Sequence, residues 1–336
     1  MKCAVLVLAW NGGDALQACL ERVLALEPAA DQVMVVDNAS HDGSADRVAH
    51  HFPTVTLVRN EANLGFSGGM NVGLRALMAQ SDPPDAILLL NQDTLVDVGW
   101  LGALGNALHK NPALGAVGCK IRYPDGTIQH AGVYLEEPRA IVQHVGWHQA
   151  DDGRFDQPAE MPFVTGAALA LRRSVLEHVG LFDAGYAPAY FEDTDLLWRI
   201  GRAGYRVGYE PRATLVHHES LSLPDPLARS ALYNRGRLRF VLKSYPLEVL
   251  TGPFAEAEQR FIQQHARYAE GRVLRWAYNE TLANLAELVA TRRTLEPDLH
   301  ATALPLIHKL LCDMRQALAH ALYHQAQDTV TTMRAL

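Results

Sequence analysis

CAVLVLAWNGGDALQACLERVLALEPAADQVMVVD, residues 3–37, holds the pattern from which the rest of the chain can be read. Cys3 to Ala9 and Gln32 to Val36 are short, apolar, Val-rich runs of the kind shown by strands buried on both faces. Between them Leu16, Cys19, Leu20, Val23 and Leu24 fall on one helical stripe. Strand, helix, strand at this spacing is a βαβ unit, whose crossover is right-handed and lays two parallel strands together. The alternation continues through 54–58 (TVTLV), a Gly-rich turn opening a helix near 68–80, a strand at 85–90 (DAILLL) and a helix near 97–109. The fold class predicted is α/β, with a doubly wound, mostly parallel, Rossmann-like sheet.

Outward from this core the pattern changes twice. From 114 to 165 short strands surround Pro124-Asp125-Gly126, a hairpin signal that predicts a small antiparallel part. Residues 136–162, with two carboxylate pairs and three prolines, read as a mobile loop able to order over a ligand. A helix near 190–203 and strand-like 205–210 and 213–217 follow. Beyond Pro224-Asp225-Pro226 the stripes are helical to the end, giving domains at 1–225 and 226–336. Charge divides at the same place: residues 1–225 carry 16 Lys and Arg against 27 Asp and Glu, a net of −11, and 226–336 carry 14 against 10, a net of +4.

A chain of 336 residues, 49% hydrophobic and 20% charged, excludes fibrous and disordered classes. The longest apolar runs, Ala4 to Trp10 and Ala86 to Leu90, are too short to span a bilayer, and no cleavage region follows Met1-Lys2, so the reading is cytoplasmic. Cys3, Cys19, Cys119 and Cys312 have no paired spacing and read as apolar fillers.

Ligands of open α/β sheets bind at the carboxyl ends of the strands, so polar residues there are the first candidates. Trp10-Asn11-Gly12-Gly13 ends the first strand and Asp37-Asn38-Ala39-Ser40 the second. Asp37 can accept bonds from a ribose hydroxyl or a base imide; the plain alternative is an Asx turn. Asn63-Leu64-Gly65-Phe66-Ser67-Gly68-Gly69-Met70-Asn71 turns into a helix whose free amides can face a phosphate. Leu90 runs into Asn91-Gln92-Asp93-Thr94, where Asp93 suits a divalent ion on a diphosphate or, alternatively, a helix N-cap. Glu192, Asp193 and Asp195 fall on a first helical turn, where one carboxylate can act as a general base while another caps. His217 and His218 end a strand, and only one of the two can face a site.

In this order the clusters resemble the inverting nucleotide-sugar glycosyltransferases of family two, and within it the rhamnosyltransferase-like members that build bacterial surface polysaccharides. The resemblance spans residues 4 to about 243 and rests on Val7 to Asn11, Val36 to Ser40 with Asp42-Gly43-Ser44, Asn63 to Phe66 with Gly68-Gly69 and Asn71-Val72-Gly73, Leu90 to Thr94, Thr165-Gly166-Ala167, and Phe191 to Leu196. It implies a GT-A-type fold with a C-terminal helical extension, and a single displacement with inversion. It implies nucleotide and donor binding by Trp10, Asn11, Asp37, Asn38, Asn63, Gly65, Asn71, Asn91, Gln92 and Gly166. Asp193 would be the catalytic base with Glu192 its competitor, and Asp93 with His217 would hold a divalent metal, Mg or Mn. Asn91 departs from the family pattern, which has a carboxylate there.

The implied partners are a nucleoside-diphosphate sugar, with rhamnose the first guess, and a saccharide acceptor on a lipid carrier. Arg229, Tyr233, Arg235, Arg237, Arg239 and Lys243 suit either an anionic membrane surface, placing the protein on the inner face of the cytoplasmic membrane, or docking against acidic residues. The later helices would bury their apolar faces on the catalytic domain or in a homodimer. An acidic body argues against nucleic acid. The rival function is a catalytically weak or dead nucleotide-sugar-binding scaffold, kept open by Asn91.

Overall fold

The computed structural model describes residues 1–219, 225–266, 269–295 and 303–335, and the chain divides into two compact units. Unit one comprises Met1–Tyr134 and Val142–Ser222, and unit two comprises Leu135–Ile141 and Leu223–Leu336.

The predicted βαβ unit is formed by β1 (Cys3–Ala9), α1 (Gly13–Leu24) and β2 (Gln32–Asp37), with β1 and β2 parallel. Leu16, Cys19, Leu20 and Val23 of α1 are buried, as their stripe requires. Then come α2 (Ser44–His51), β3 (Thr56–Arg59), α3 (Gly65–Met78), β4 (Ala86–Asn91), β5 (Thr94–Val96) and α4 (Trp100–Lys110). Next are β6 (Leu114–Arg122), β7 (Ile128–His130), β8 (Val133–Glu136), β9 (Ile141–His144), β10 (Ala159–Glu160) and β11 (Ala168–Arg172). Unit one ends with α5 (Arg173–Val179), α6 (Glu192–Arg202) and β12 (Arg206–His217).

Among the described residues the main sheet runs β10-β12-β6-β11-β4-β1-β2-β3, with β5 on β12 and β7 on β6. β11 is antiparallel to both β4 and β6, which supplies the antiparallel part. Alternation along β1 feeds two cores: Val5, Val7 and Ala9 join one buried cluster with α1 and Trp100, and Ala4 and Leu6 join another with Met70 and Leu74 of α3.

Several expectations change. The Gly-rich turn is already helix from Gly65. The helix expected near 97 starts at Trp100, after Gly99, so neither Asp93 nor Asp97 caps it, and Thr94–Val96 pairs with β12. Residues 205–217 form one strand whose register shifts between Glu210 and Thr214. Residues 136–162 are not a structureless loop: β9 pairs with β8, β10 with β12, and Lys120 holds Asp151 at 2.8 Å and also Asp156.

Unit two is helical: α7 (Pro226–Ser244), then α8 (Leu247–Val249) running through a wider π turn into α9 (Ala255–His265), then α10 (Ala269–Ala283), α11 (Leu285–Leu295) and α12 (Ala303–Ala335). Leu238, Phe240, Val241 and Leu242 of α7 are buried beside α10 and α11. Arg237 is buried with Glu258 at 2.6 Å, and Arg139 reaches the same carboxylate at 2.7 Å. Arg239 pairs with Glu287 at 2.7 Å, and Lys243 is buried. These three cations of α7 therefore face protein, not lipid, and the acidic partners of the two arginines lie within unit two. Among the described residues no helix is long and apolar enough to cross a membrane.

Candidate active site

The register aligns the strand tips. Ala9 lies opposite Asp37, and Leu8 opposite Asn91, so β1, β2 and β4 end at one level. β12 returns antiparallel to β5 with His217 opposite Thr94, which sets His217 beside Asp93.

Asp37 is 4% exposed. Its Oδ2 accepts the Ser40 N–H at 3.3 Å, so the Asx-type turn exists, but Oδ1 is buried with no hydrogen-bond partner. A buried carboxylate oxygen left unmet costs free energy, and a donor arriving from a ligand would remove that cost.

Asp93 and His217 are both buried. His217 Nδ1 lies 2.8 Å from Gln129 Oε1, whose amide nitrogen donates to Glu219 at 3.1 Å. Gln129 Oε1 is therefore the acceptor and His217 Nδ1 carries the proton. In the neutral ring this leaves the Nε2 lone pair facing Asp93 Oδ1 at 3.1 Å, two acceptors toward each other. Such a pair needs a shared proton or a cation, and an imidazole nitrogen with a carboxylate oxygen suits a divalent metal. Among the described residues no group of three or more His, Cys, Asp and Glu converges for a metal. Asp93 is not a helix cap, and His218 is exposed with its N–H on the Asp93 carbonyl at 2.9 Å.

Asp193 sits in the first turn of α6. Its Oδ2 accepts the Gly166 N–H at 2.7 Å and its Oδ1 the Thr194 N–H at 2.7 Å, which fixes the carboxylate. A Cβ at Gly166 would stand 3.1 Å from Asp193 Cβ, so this glycine positions the carboxylate and does not itself offer a side chain to a sugar. Glu192 is buried in the same turn. Asp195 is spent on Arg199 at 2.9 Å. Tyr190 (φ 81°) and Phe191 (φ 73°) are both left-handed just before the turn, a strained conformation for bulky residues that is typical of functional sites.

Five of the expected donor-binding residues also make close contacts within the fold. Asn38 donates to Asn63 Oδ1 at 2.8 Å and accepts from Leu64 N–H at 3.0 Å, locking the β2 tip to the turn before α3. Asn71 clamps the Phe182 backbone, donating to its carbonyl at 2.8 Å and accepting its N–H at 3.0 Å. Gln92 does the same for Trp10, at 3.0 and 2.9 Å. Gly65 has φ 69° and its Cβ would meet Pro188 Cα at 2.8 Å, so the position demands glycine for backbone approach. Asn11 braces the tips through His41 N–H on its Oδ1 at 2.8 Å. Trp10 and Asn91 remain half-buried at the strand ends.

Gln129 was absent from the expected set, as were His130 and His144. His130 is fully buried, its Nδ1 is 3.1 Å from His144 Nδ1, and its Nε2 has no partner. Burial pushes the His130 imidazole well below its ordinary value, with His144 adding to the effect. His144 is lowered too, burial outweighing the pull of Asp193 and Glu219. The signal was present in Gln129-His130, two polar residues in a run otherwise suited to a buried strand.

Residues 4–180 match the family described as Glycosyl transferase family 2. An N-acetylglucosaminyl-diphospho-decaprenol L-rhamnosyltransferase of Mycobacterium tuberculosis is 30% identical over 244 residues, covering 66% of this chain and 79% of the relative. The O-antigen biosynthesis protein RfbC of Myxococcus xanthus is 35% identical over 150 residues, 41% of this chain and 11% of that protein. In fold, the chain is similar to GalNAc-T7 solved with UDP, GalNAc and Mn2+, at a TM-score of 0.61 and 13% identity over 85% of this chain and 57% of that one. It is also similar to the mannosyltransferase PcManGT of Pyrobaculum calidifontis solved with GDP-Man and Mn2+, at 0.53 and 19%, over 96% and 87%. These neighbours share the GT-A fold. Since the matched stretch exceeds half the chain and contains the tips of β1, β2 and β4 described above, the protein belongs to glycosyl transferase family 2 and is a glycosyltransferase.

Proposed function

We propose that this glycosyltransferase moves a sugar, rhamnose being the first donor to test, from a nucleoside diphosphate to a hydroxyl of a lipid-linked saccharide, with inversion, in cell-wall or surface-polysaccharide assembly. The observation that carries the reading is the buried Asp93–His217 pair, a carboxylate oxygen and an imidazole nitrogen 3.1 Å apart at the end of a central strand. The names of the mycobacterial rhamnosyltransferase and of the O-antigen protein support the donor, the carrier and the pathway class.

Asp37 would take the nucleoside, its unmet Oδ1 accepting from a ribose hydroxyl or a base N–H. Asp93 and His217 would hold a divalent cation, which when bound supplies positive charge for a departing diphosphate. Asp193 accepts the acceptor hydroxyl proton as that oxygen bonds the anomeric carbon and the bond to the diphosphate oxygen breaks. The Gly166 and Thr194 amides keep its carboxylate oriented throughout.

Thermal-shift titration with UDP, GDP and dTDP and their sugars, with and without Mn2+ or Mg2+, tests the reading, because a ligand of the folded state raises apparent stability. A metal-dependent shift lost in Asp93→Ala is expected. Asp193→Asn should keep that shift while transfer slows about 10²–10⁴-fold. No shift with any nucleotide, or transfer undiminished in Asp193→Asn, would defeat the proposal.

A further inference from the structure

Trp147 is 58% exposed, yet its position is fixed. Its loop is tied to β7 in both directions, His148 N–H to the Ile128 carbonyl and Ile128 N–H to the Gln149 carbonyl, each 2.8 Å. The indole N–H donates to the Tyr123 hydroxyl at 2.9 Å. Tyr123 stacks on His148 with centroids 4.8 Å apart and 9° between the rings, and Trp147 lies 4.7 Å from the same imidazole. An ordered aromatic surface with its polar edges satisfied is thus held open to solvent, where burying it would be favourable.

The platform is wired to the strand tips. Tyr123 donates to Glu219 Oε2 at 3.2 Å, the same oxygen that accepts from Gln129 at 3.1 Å, and Gln129 orients His217. Glu219 is exposed, and its Oε1 makes no hydrogen bond among the described residues. A flat ring beside a carboxylate with a spare acceptor fits one chemistry well. A pyranose has an apolar face of C–H groups that lies on an aromatic ring and a rim of hydroxyls that donate to a carboxylate. The same carboxylate repels a phosphate and is costly to cover with an alkyl chain.

We infer that Trp147, Tyr123 and Glu219 form a subsite for a pyranose ring of the acceptor saccharide, an inference that rests on the glycosyltransferase reading above. Saturation-transfer NMR and titration with methyl α-L-rhamnoside, methyl β-N-acetylglucosaminide and methyl β-galactoside, without nucleotide or metal, test it. At least one glycoside should bind the wild type, Trp147→Ala should weaken it roughly tenfold, the difference made by about 1.4 kcal/mol, and Trp147→Phe should restore most of the loss. Glu219→Gln should also weaken it. Unchanged affinity in Trp147→Ala, or no binding of any of the three to the wild type at about 50 mM, which corresponds to less than ~2 kcal/mol, overturns the subsite. The assay contains no nucleotide, so failure of the donor reading appears separately, as loss of the nucleotide response.

Discussion

His130 and His144 face each other Nδ1 to Nδ1, so one donates, the other accepts, and both rings are neutral. Their values are depressed by burial, against the attraction that Asp193 and Glu219 exert on His144. Below the ordinary imidazole value of 6.5 the unfolded chain takes up protons that the folded pair refuses. Stability from this pair is therefore present above that pH and lost as pH falls below it. A thermal melting series from pH 8 to pH 5 should show a decline below about 6.5 that is smaller in His130→Phe than in the wild type. At this scale the sequence was informative only in part. Asp37, Asp93, Asp193 and His217 are legible as polar groups where apolar strands end or a helix begins. Asn38, Asn71 and Gln92 carry the same signature, and their amides bond backbone groups or, for Asn38, also the Asn60 and Asn63 side chains. A composition reading cannot show which of these amides also clamp a loop.

The glycines of α3 illustrate what decides an element. The expected turn runs into the helix at Gly65, and the helix's later glycines serve packing. A Cβ at Gly69 would meet Leu8 Cδ1 at 2.4 Å, and one at Gly73 would meet Leu6 Cδ1 at 2.4 Å and Val36 Cγ2 at 3.0 Å. The absence of side chains lets α3 lie directly on β1 and β2. Gly73→Ala should cost about 1–3 kcal/mol despite the better helix propensity of alanine, because the core is overpacked; chemical denaturation with unchanged m-value checks it. Strands and helices of the βαβ part were readable because their periods, 2 and 3.6, repeat over whole elements. β5, β9 and β10 were not, being two to four residues long and defined by partners far away in the chain.

For the whole molecule, one compact unit groups Leu135–Ile141 with the residues from Leu223 on, a grouping that no change of charge or period in the sequence marks. Within that unit Arg139 and Arg237 converge on Glu258, with the Tyr278 hydroxyl on it at 3.1 Å. The carboxylate is held below its usual range, the desolvation that would raise it being outweighed by the two guanidinium groups. Glu258→Ala would leave buried positive charge uncompensated and should cost about 3–5 kcal/mol, measured as a drop in the denaturation midpoint, while Arg239→Ala, whose partner is more than half exposed, should cost far less. Arg139 and its partner Glu258 are 119 positions apart. A ribosome adding about 5–20 residues per second delivers Glu258 roughly 6–24 s after Arg139. Throughout that interval the turn between β8 and β9 has emerged without the carboxylate that will pair with its Arg139.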